Sequence, residues 1–232
     1  MGLNKRLIGA GATGSGELVP SEHFGVVLYE GDGSSSHSIN GGKFGAGAYF
    51  DGSSAYINAG YISQAASNTF SISTWVMFNS ISASGTIAST YVSGGGNLGW
   101  YLRYSTVSKL EFGYIDGTQQ SVSNSFTPNT GQWYHVVVTV GSSNVVLYIN
   151  GTQNASLSST TISYTGNPDL YFGKLGTADS SYLDGKIDQV RLFTKALSSS
   201  EVSTLYAETA ATSTSLDPLS EDTTDTLQVL GD

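Results

Sequence analysis

The segment Gly131-Gln132-Trp133-Tyr134-His135-Val136-Val137-Val138-Thr139-Val140, followed by a 141–144 loop, an apolar run at 145–149 and the dipeptide Asn150-Gly151, decides the fold. β-Branched and aromatic residues of this density are strand formers. Asn-Gly between two such runs is a type I′ hairpin signal, because both of its residues tolerate φ > 0. The segment reads as two antiparallel strands joined by a tight turn.

Working outward, the same period-2 signal recurs on both sides. Upstream, Phe70, Ile72, Thr74, Val76 and Phe78 alternate with Trp75 and Met77, so both faces carry apolar groups and the strand is central. Phe44, Ala46, Ala48 and Phe50 alternate with Gly45, Gly47 and Tyr49; Asp51-Gly52 closes a turn, and Tyr56-Ile57 starts a return strand. Residues 24–29 form the first strand, and 30–42 a turn-rich loop. Further strands read at 100–104, 110–115, 170–172 and 186–193. Many short strands at this spacing predict an all-β sandwich. One short helix follows: Ser198 is placed as N-cap with Glu201 three residues on, and Val202, Leu205 and Tyr206 fall at helical spacing.

The chain has 232 residues, suited to one large sandwich. Residues 1–23 read as a Gly/Ser/Thr-rich arm, 24–208 as the sandwich, and 209–232 as a polar acidic tail ending in the apolar Leu227-Gln228-Val229-Leu230. Only 12% of residues are charged, so Ser, Thr, Asn and Gly must supply surface polarity. Net charge is −9 with nine Lys plus Arg and no basic patch. Phosphate contacts dominate nucleic-acid affinity, so neither nucleic acid nor an anionic membrane is an expected partner. Without cysteine, disulfides, Cys-based metal sites and thiol nucleophiles are excluded. The N-terminus lacks the apolar run of a signal peptide, and Arg6 occupies the position where myristoylation needs Ser or Thr. The expected product is soluble and made in the cytoplasm.

Four segments, in order, resemble the laminin-G-like, concanavalin A-like jelly-roll family. They are Lys43-Phe44-Gly45-Ala46-Gly47-Ala48-Tyr49-Phe50-Asp51-Gly52; Phe70-Ser71-Ile72-Ser73-Thr74-Trp75-Val76; Gly131 to Val136 continuing to Asn150-Gly151; and Leu183-Asp184-Gly185-Lys186-Ile187-Asp188-Gln189-Val190-Arg191-Leu192-Phe193. The resemblance implies a jelly-roll β-sandwich of two antiparallel sheets, in a family that binds sugars or proteins. The arm, Gly25–Tyr29 and the Gly-Lys-Phe-Gly segment are similar to bacteriophage structural proteins carrying this domain. That implies a homo-oligomeric virion component (fibre, appendage or capsid decoration) whose arm and tail contact other virion proteins or copies of itself. The alternative is a stand-alone, extracellular carbohydrate-binding module.

Catalysis is not expected. Retaining glycosidases need two carboxylates about 5 Å apart, and between Phe70 and Asp179 the only Glu is Glu111, with Asp116 in or near a turn. His135 reads as a strand histidine pointing away from Val136 and Val138, with no nucleophile beside it. Sugar rings stack on aromatic side chains while Asn and Arg take hydroxyls. The ligand-binding candidates are accordingly Tyr91, Asn97, Trp100, Arg103, Tyr104 and Tyr114, with core filling as the competing role for most of them. In a regular strand Asp188 shares a face with Val190 and Leu192, and a buried carboxylate needs partners. One reading is a structural Ca²⁺ site combining Asp188 with backbone carbonyls from the 44–51 region, with Asp51 as the second acidic candidate, since calcium accepts mixed oxygen ligands. The other is a carboxylate capping backbone N–H groups at a strand bend. No cofactor is required.

Overall fold

The computed structural model describes residues 23–25, 37–38, 42–44, 47–94, 98–107, 109–158, 161–209 and 226–229. In chain order the strands are β1 (His23–Gly25), β2 (His37–Ser38), β3 (Gly47–Asp51), β4 (Ile57–Tyr61) and β5 (Phe70–Phe78). Next come β6 (Gly85–Ser89), β7 (Trp100–Ser105), β8 (Lys109–Asp116), β9 (Thr118–Ser125) and β10 (Trp133–Val140). The last are β11 (Asn144–Ile149), β12 (Thr152–Ser158), β13 (Asp169–Phe172), β14 (Asp184–Phe193) and β15 (Thr226–Val229), with helix α1 (Ser199–Tyr206) before β15.

Two sheets stack face to face. The nine-stranded sheet runs β1-β15-β14-β5-β10-β11-β12, with β3 on β14 and β2 on β3; the six-stranded sheet runs β4-β13-β6-β7-β8-β9. Pairing is antiparallel except between β1 and β15. The expected all-β jelly-roll sandwich with one short C-terminal helix is what the chain builds. Between the sheets lie Phe70, Ile72, Val76 and Phe78 of β5, Val136 and Val138 of β10, and Trp100, Leu102, Phe112 and Tyr114 from the facing sheet, all buried. Asn150 and Gly151 sit at φ 50° and 76°, the two left-handed positions that a type I′ turn demands. Ser198 caps α1 and Glu201 reaches back to it, completing the capping box.

Three differences stand out. Strands β6, β9 and β12 went unread because β9 and β12 are built largely from Ser, Thr, Asn and Gln, and β6 is buried throughout. Within the stretch read as a tail, Thr226–Val229 pairs with β14; of the first predicted strand, only Phe24 and Gly25 lie among the described residues. Most consequential is β14, whose register shifts between Asp188 and Arg191, with Gln189 at φ 49°. This β-bulge inserts one residue and reverses the side-chain parity beyond it. Ile187, Val190 and Leu192 therefore face the core, while Asp188 pairs with Trp75 and Arg191 with Ser73 on the outer face. Asp188 does not share a face with Val190 and Leu192, because the bulge interrupts the alternation.

Candidate functional site

Directly paired residues in an antiparallel sheet project to the same side. Across the outer face of the six-stranded sheet, one continuous row is Asn58–Tyr171–Ser89–Tyr101–Gly113–Ser121. A second row beside it is Thr86–Arg103–Glu111–Ser123. The alternate residues Trp100, Leu102 and Tyr104 point the other way, into the core.

Two cation–tyrosine clusters stand on this face. In the first, the Tyr101 ring lies across Gly113 so closely that a Cβ there would meet Tyr101 Cζ at 2.1 Å. Gln119 Nε2 donates to the Tyr101 hydroxyl at 2.9 Å, and Tyr91 packs edge-on at 6.1 Å. The Arg103 guanidinium lies over the Tyr101 ring at 4.4 Å, and its Nε donates to Glu111 Oε1 at 2.6 Å. Burial pushes the Tyr101 and Tyr91 hydroxyls above their ordinary range, against the opposing charge of Arg103. Thr86, paired with Arg103, is fully buried, and among the described residues its hydroxyl has no hydrogen-bond partner.

In the second cluster, Lys174 Nζ sits 3.8 Å from the Tyr56 ring centre and 5.0 Å from that of Tyr171, and contacts Asp179 Oδ1 at 3.1 Å. The Tyr182 hydroxyl donates to the same oxygen at 2.5 Å. Burial and then this carboxylate push Tyr182 up to about 12, while Tyr182 and Lys174 hold Asp179 below its ordinary value. Asn58 Nδ2 donates to Asp169 Oδ2 at 3.0 Å.

Of the candidates named from sequence, Tyr91 and Arg103 belong to this face. Trp100, Tyr104 and Tyr114 do not: they are 0%, 3% and 0% exposed. Trp100 stacks on Phe70 and donates Nε1–H to the Ala65 carbonyl at 2.7 Å. Strand parity is the physical reason, since neighbours in a strand cannot share a face. Asn97 lies outside the described residues. Tyr101, Gln119, Tyr56, Tyr171 and Lys174 were missed, as was the pairing of Glu111 with Arg103; placing Arg103 outward would have placed Tyr101 outward with it.

The acidic pair named for Ca²⁺ is not brought together. Asp51 pairs with Asp184, four residues before Asp188 along β14. The Asp51 carboxylate accepts the N–H groups of Ser53, Ser54 and Ala55 and both serine hydroxyls. Slight burial opposes its charge, yet the N–H groups of Ala55, Ser54 and Ser53 hold it far below the ordinary carboxylate range. Asp188 accepts from the N–H of Phe44 at 2.9 Å and of Gln189 at 2.7 Å. Burial raises its carboxyl, with these donors opposing. A carboxylate facing N–H donors is arranged for capping, and this donor set does not fit a cation. Among the described residues, no group of three or more His, Cys, Asp or Glu is placed to hold a metal ion.

The other outer face is covered. Helix α1 packs Val202 and Leu205 onto Val137, Val146, Tyr148 and Phe193 of the nine-stranded sheet. Beside it, Tyr206 stacks on Trp75 and His135. Contrary to the expectation that no nucleophile stands beside His135, its Nε2 pairs with Ser73 Oγ at 2.9 Å. Both residues are buried, and His135 Nδ1 has no hydrogen-bond partner among the described residues. Arg191 and Glu208 form an ion pair at 2.6 Å with side chains 2% and 4% exposed. Among the described residues no helix is long and apolar enough to cross a membrane.

A two-sheet sandwich with helix α1 packed on one outer face, and a layer of half-buried and buried tyrosine, arginine and lysine side chains on the other, defines a jelly-roll module. The chain belongs to the concanavalin A-like lectin/glucanases superfamily, whose laminin-G-type family model matches residues 51–203. No curated protein shows a significant match to it. Among solved structures it is similar to domain 4 of AbnA, an extracellular arabinanase from Geobacillus stearothermophilus, in complex with arabinotriose. That likeness has 24% identity and TM-score 0.56, covering 78% of this chain and 84% of that one. It is also similar to the binding domain of Paraclostridial Mosquitocidal Protein 1 (19% identity, TM-score 0.59, 75% of this chain and 45% of that). A third likeness is to Trypanosoma rangeli sialidase (17% identity, TM-score 0.54, 75% and 28%). The chain spans less than half the length of the last two. At these identities the likeness is one of fold.

Proposed function

We propose that this chain is a non-catalytic, lectin-like recognition module that holds a glycan on the outer face of its six-stranded sheet. The observation that carries the reading is the pair of adjoining rows around Tyr101 and Arg103. There, among the described residues, the half-buried Tyr91 and Arg103 and the exposed Gln119 gather around Tyr101 and Glu111. Tyr101 and Glu111 are themselves buried at 3% and 8% exposed, and helix α1 packs on the other sheet. Rings take the apolar faces of sugars, and Arg, Glu and Gln take hydroxyls. That a domain of this fold is seen with arabinotriose supports the choice of ligand class.

The same face is poorly equipped for hydrolysis. Glu111 is engaged by Arg103. Asp169 lies three strand positions away, at least about 14 Å at ordinary sheet spacing, and Asp116 five residues along β8, about 17 Å. Neither approaches the separation of a retaining or inverting pair.

The test is a glycan array read with the wild type and with Arg103→Ala and Tyr91→Ala. Binding that both variants weaken supports the reading; a flat array, or binding indifferent to both, overturns it. The setting carried with this reading is a virion component, supported by the resemblance of the arm and of Gly25–Tyr29 to phage structural proteins. A micrograph locating the protein on particles tests that setting, and a free secreted form would replace it with the extracellular alternative.

A further inference from the structure

The two cation–tyrosine clusters differ in one respect that bears on ligand chemistry. Both cations have a carboxylate partner, but Lys174 is closed: its side chain is 9% exposed and its ammonium is held against two rings. Arg103 is open. Its side chain is 22% exposed, and among the described residues only Nε has a protein acceptor, the Glu111 oxygen at 2.6 Å. The Nη1–Nη2 edge of the guanidinium has none.

That edge is also immobilised. The guanidinium carbon rests 4.4 Å from the centre of the Tyr101 ring, and the 2.6 Å bond from Nε to Glu111 anchors the group at a second point. Tyr101 is in turn held by Gln119 and by the absence of a side chain at Gly113. Two parallel N–H donors in a fixed fork are the geometric complement of a carboxylate, and such bidentate pairs are shorter and stronger than single hydrogen bonds. On the neighbouring strand, Thr86 pairs with Arg103, and its buried hydroxyl has no hydrogen-bond partner among the described residues. The long-range field of a chain of net charge −9 repels anions, so an acidic ligand here must be recognised by a local device. Arg103 is such a device.

We infer that Arg103, backed by Tyr101 and steered by Glu111, forms a subsite for the carboxylate of an acidic sugar, a uronate or sialate unit of the bound glycan. The inference rests on the glycan-binding reading above and narrows its ligand class. Glu111 acts as a positioning residue: it takes Nε and leaves the Nη edge for the ligand.

The experiment is calorimetric titration of the full chain with trisaccharides of galacturonate, mannuronate and guluronate and with sialyllactose. Each is compared with its carboxyl-reduced, neutral counterpart. The expected result is that at least one acid binds tenfold or more tighter than its reduced form, and that Arg103→Lys removes this preference while leaving the melting temperature unchanged. Lysine keeps the charge but loses the planar fork, so the variant separates geometry from electrostatics. Acid and neutral forms bound within tenfold for all four pairs overturns the inference and leaves the glycan-binding face standing. A preference that survives in Arg103→Lys overturns the fork, and one that also survives in Arg103→Gln removes Arg103 from the subsite altogether. No binding of any acid or reduced form removes the inference and weighs against the reading beneath it.

Discussion

On the nine-stranded sheet the outward residues Trp75, His135, Val137 and Phe193 end under helix α1 or its Tyr206. On the six-stranded sheet the outward Tyr171 and Arg103 are half-buried and Glu111 is buried beside Arg103, with α1 packed on the other sheet. Both faces mix aromatic and charged groups, yet their charges are handled differently. Under the helix, Arg191 and Glu208 neutralise each other almost completely out of water. On the open face, Arg103 keeps one edge available. Burial penalises unpaired polar groups, yet on the covered face His135 Nδ1 and Arg191 Nε have no hydrogen-bond partner among the described residues. The unpaired edge of Arg103, by contrast, belongs to a side chain that is 22% exposed.

The largest expected effect sharpens this contrast by showing which tryptophan belongs to neither face. Trp100→Ala should cost about 3–5 kcal/mol by emptying a core site, measured by denaturant melting. A loss of binding without loss of stability would place Trp100 on the open face instead. Next, Glu208→Gln should break the seal on the covered face and cost about 3 kcal/mol by stranding Arg191, again by denaturant melting. If glycan binding then also fell at unchanged folded fraction, the two faces would not be independent.

His135 offers a reversible way to load the covered face. Burial, and then the Arg191 charge, lowers its pKa from 6.5 to about 3. A depressed histidine stays neutral when folded while the unfolded chain takes up a proton. Stability is therefore full above pH 6.5 and falls as pH drops towards 3. The loss attributable to His135 should be on the order of 3 kcal/mol at pH 4. His135→Gln should flatten that slope; an equal slope in the variant would assign the titration elsewhere.

A smaller perturbation acts on the open face alone. Gly113→Ala should displace the Tyr101 ring, cost about 1–3 kcal/mol and weaken glycan binding, with α1 still packed. Retained binding would show that the Tyr101 platform does not matter. Smallest of all is the response to chelation. With Asp188 and Asp51 both turned to N–H donors, EDTA should leave the melting temperature unchanged. A downward shift reversed by Ca²⁺ would contradict this account of both carboxylates.

Much of this architecture was legible in the chain. The alternating runs at 70–78 and 133–140, the Asn150-Gly151 turn and the Ser198–Glu201 cap appear in the structure where their residues demand them. Strands β9 and β12 were not legible, because each sends few apolar residues inward, Val122 from one and Ala155 and Leu157 from the other. Their partners in the sheet define them. The site was half legible: Arg103 and Tyr91 could be named, but Trp100, Tyr104 and Tyr114 were grouped with them by proximity along the chain rather than by face.

Local chemistry, read residue by residue, determined that this polypeptide would form alternating strands with a capped helix and a charge-poor surface. Which of the two outer faces stays open, and that a single extra residue at Gln189 turns Asp188 away from the core, only the tertiary structure decided. The physical reason is that alternation along a strand sorts side chains into two sides. What lies over each side depends on contacts between segments far apart in the chain.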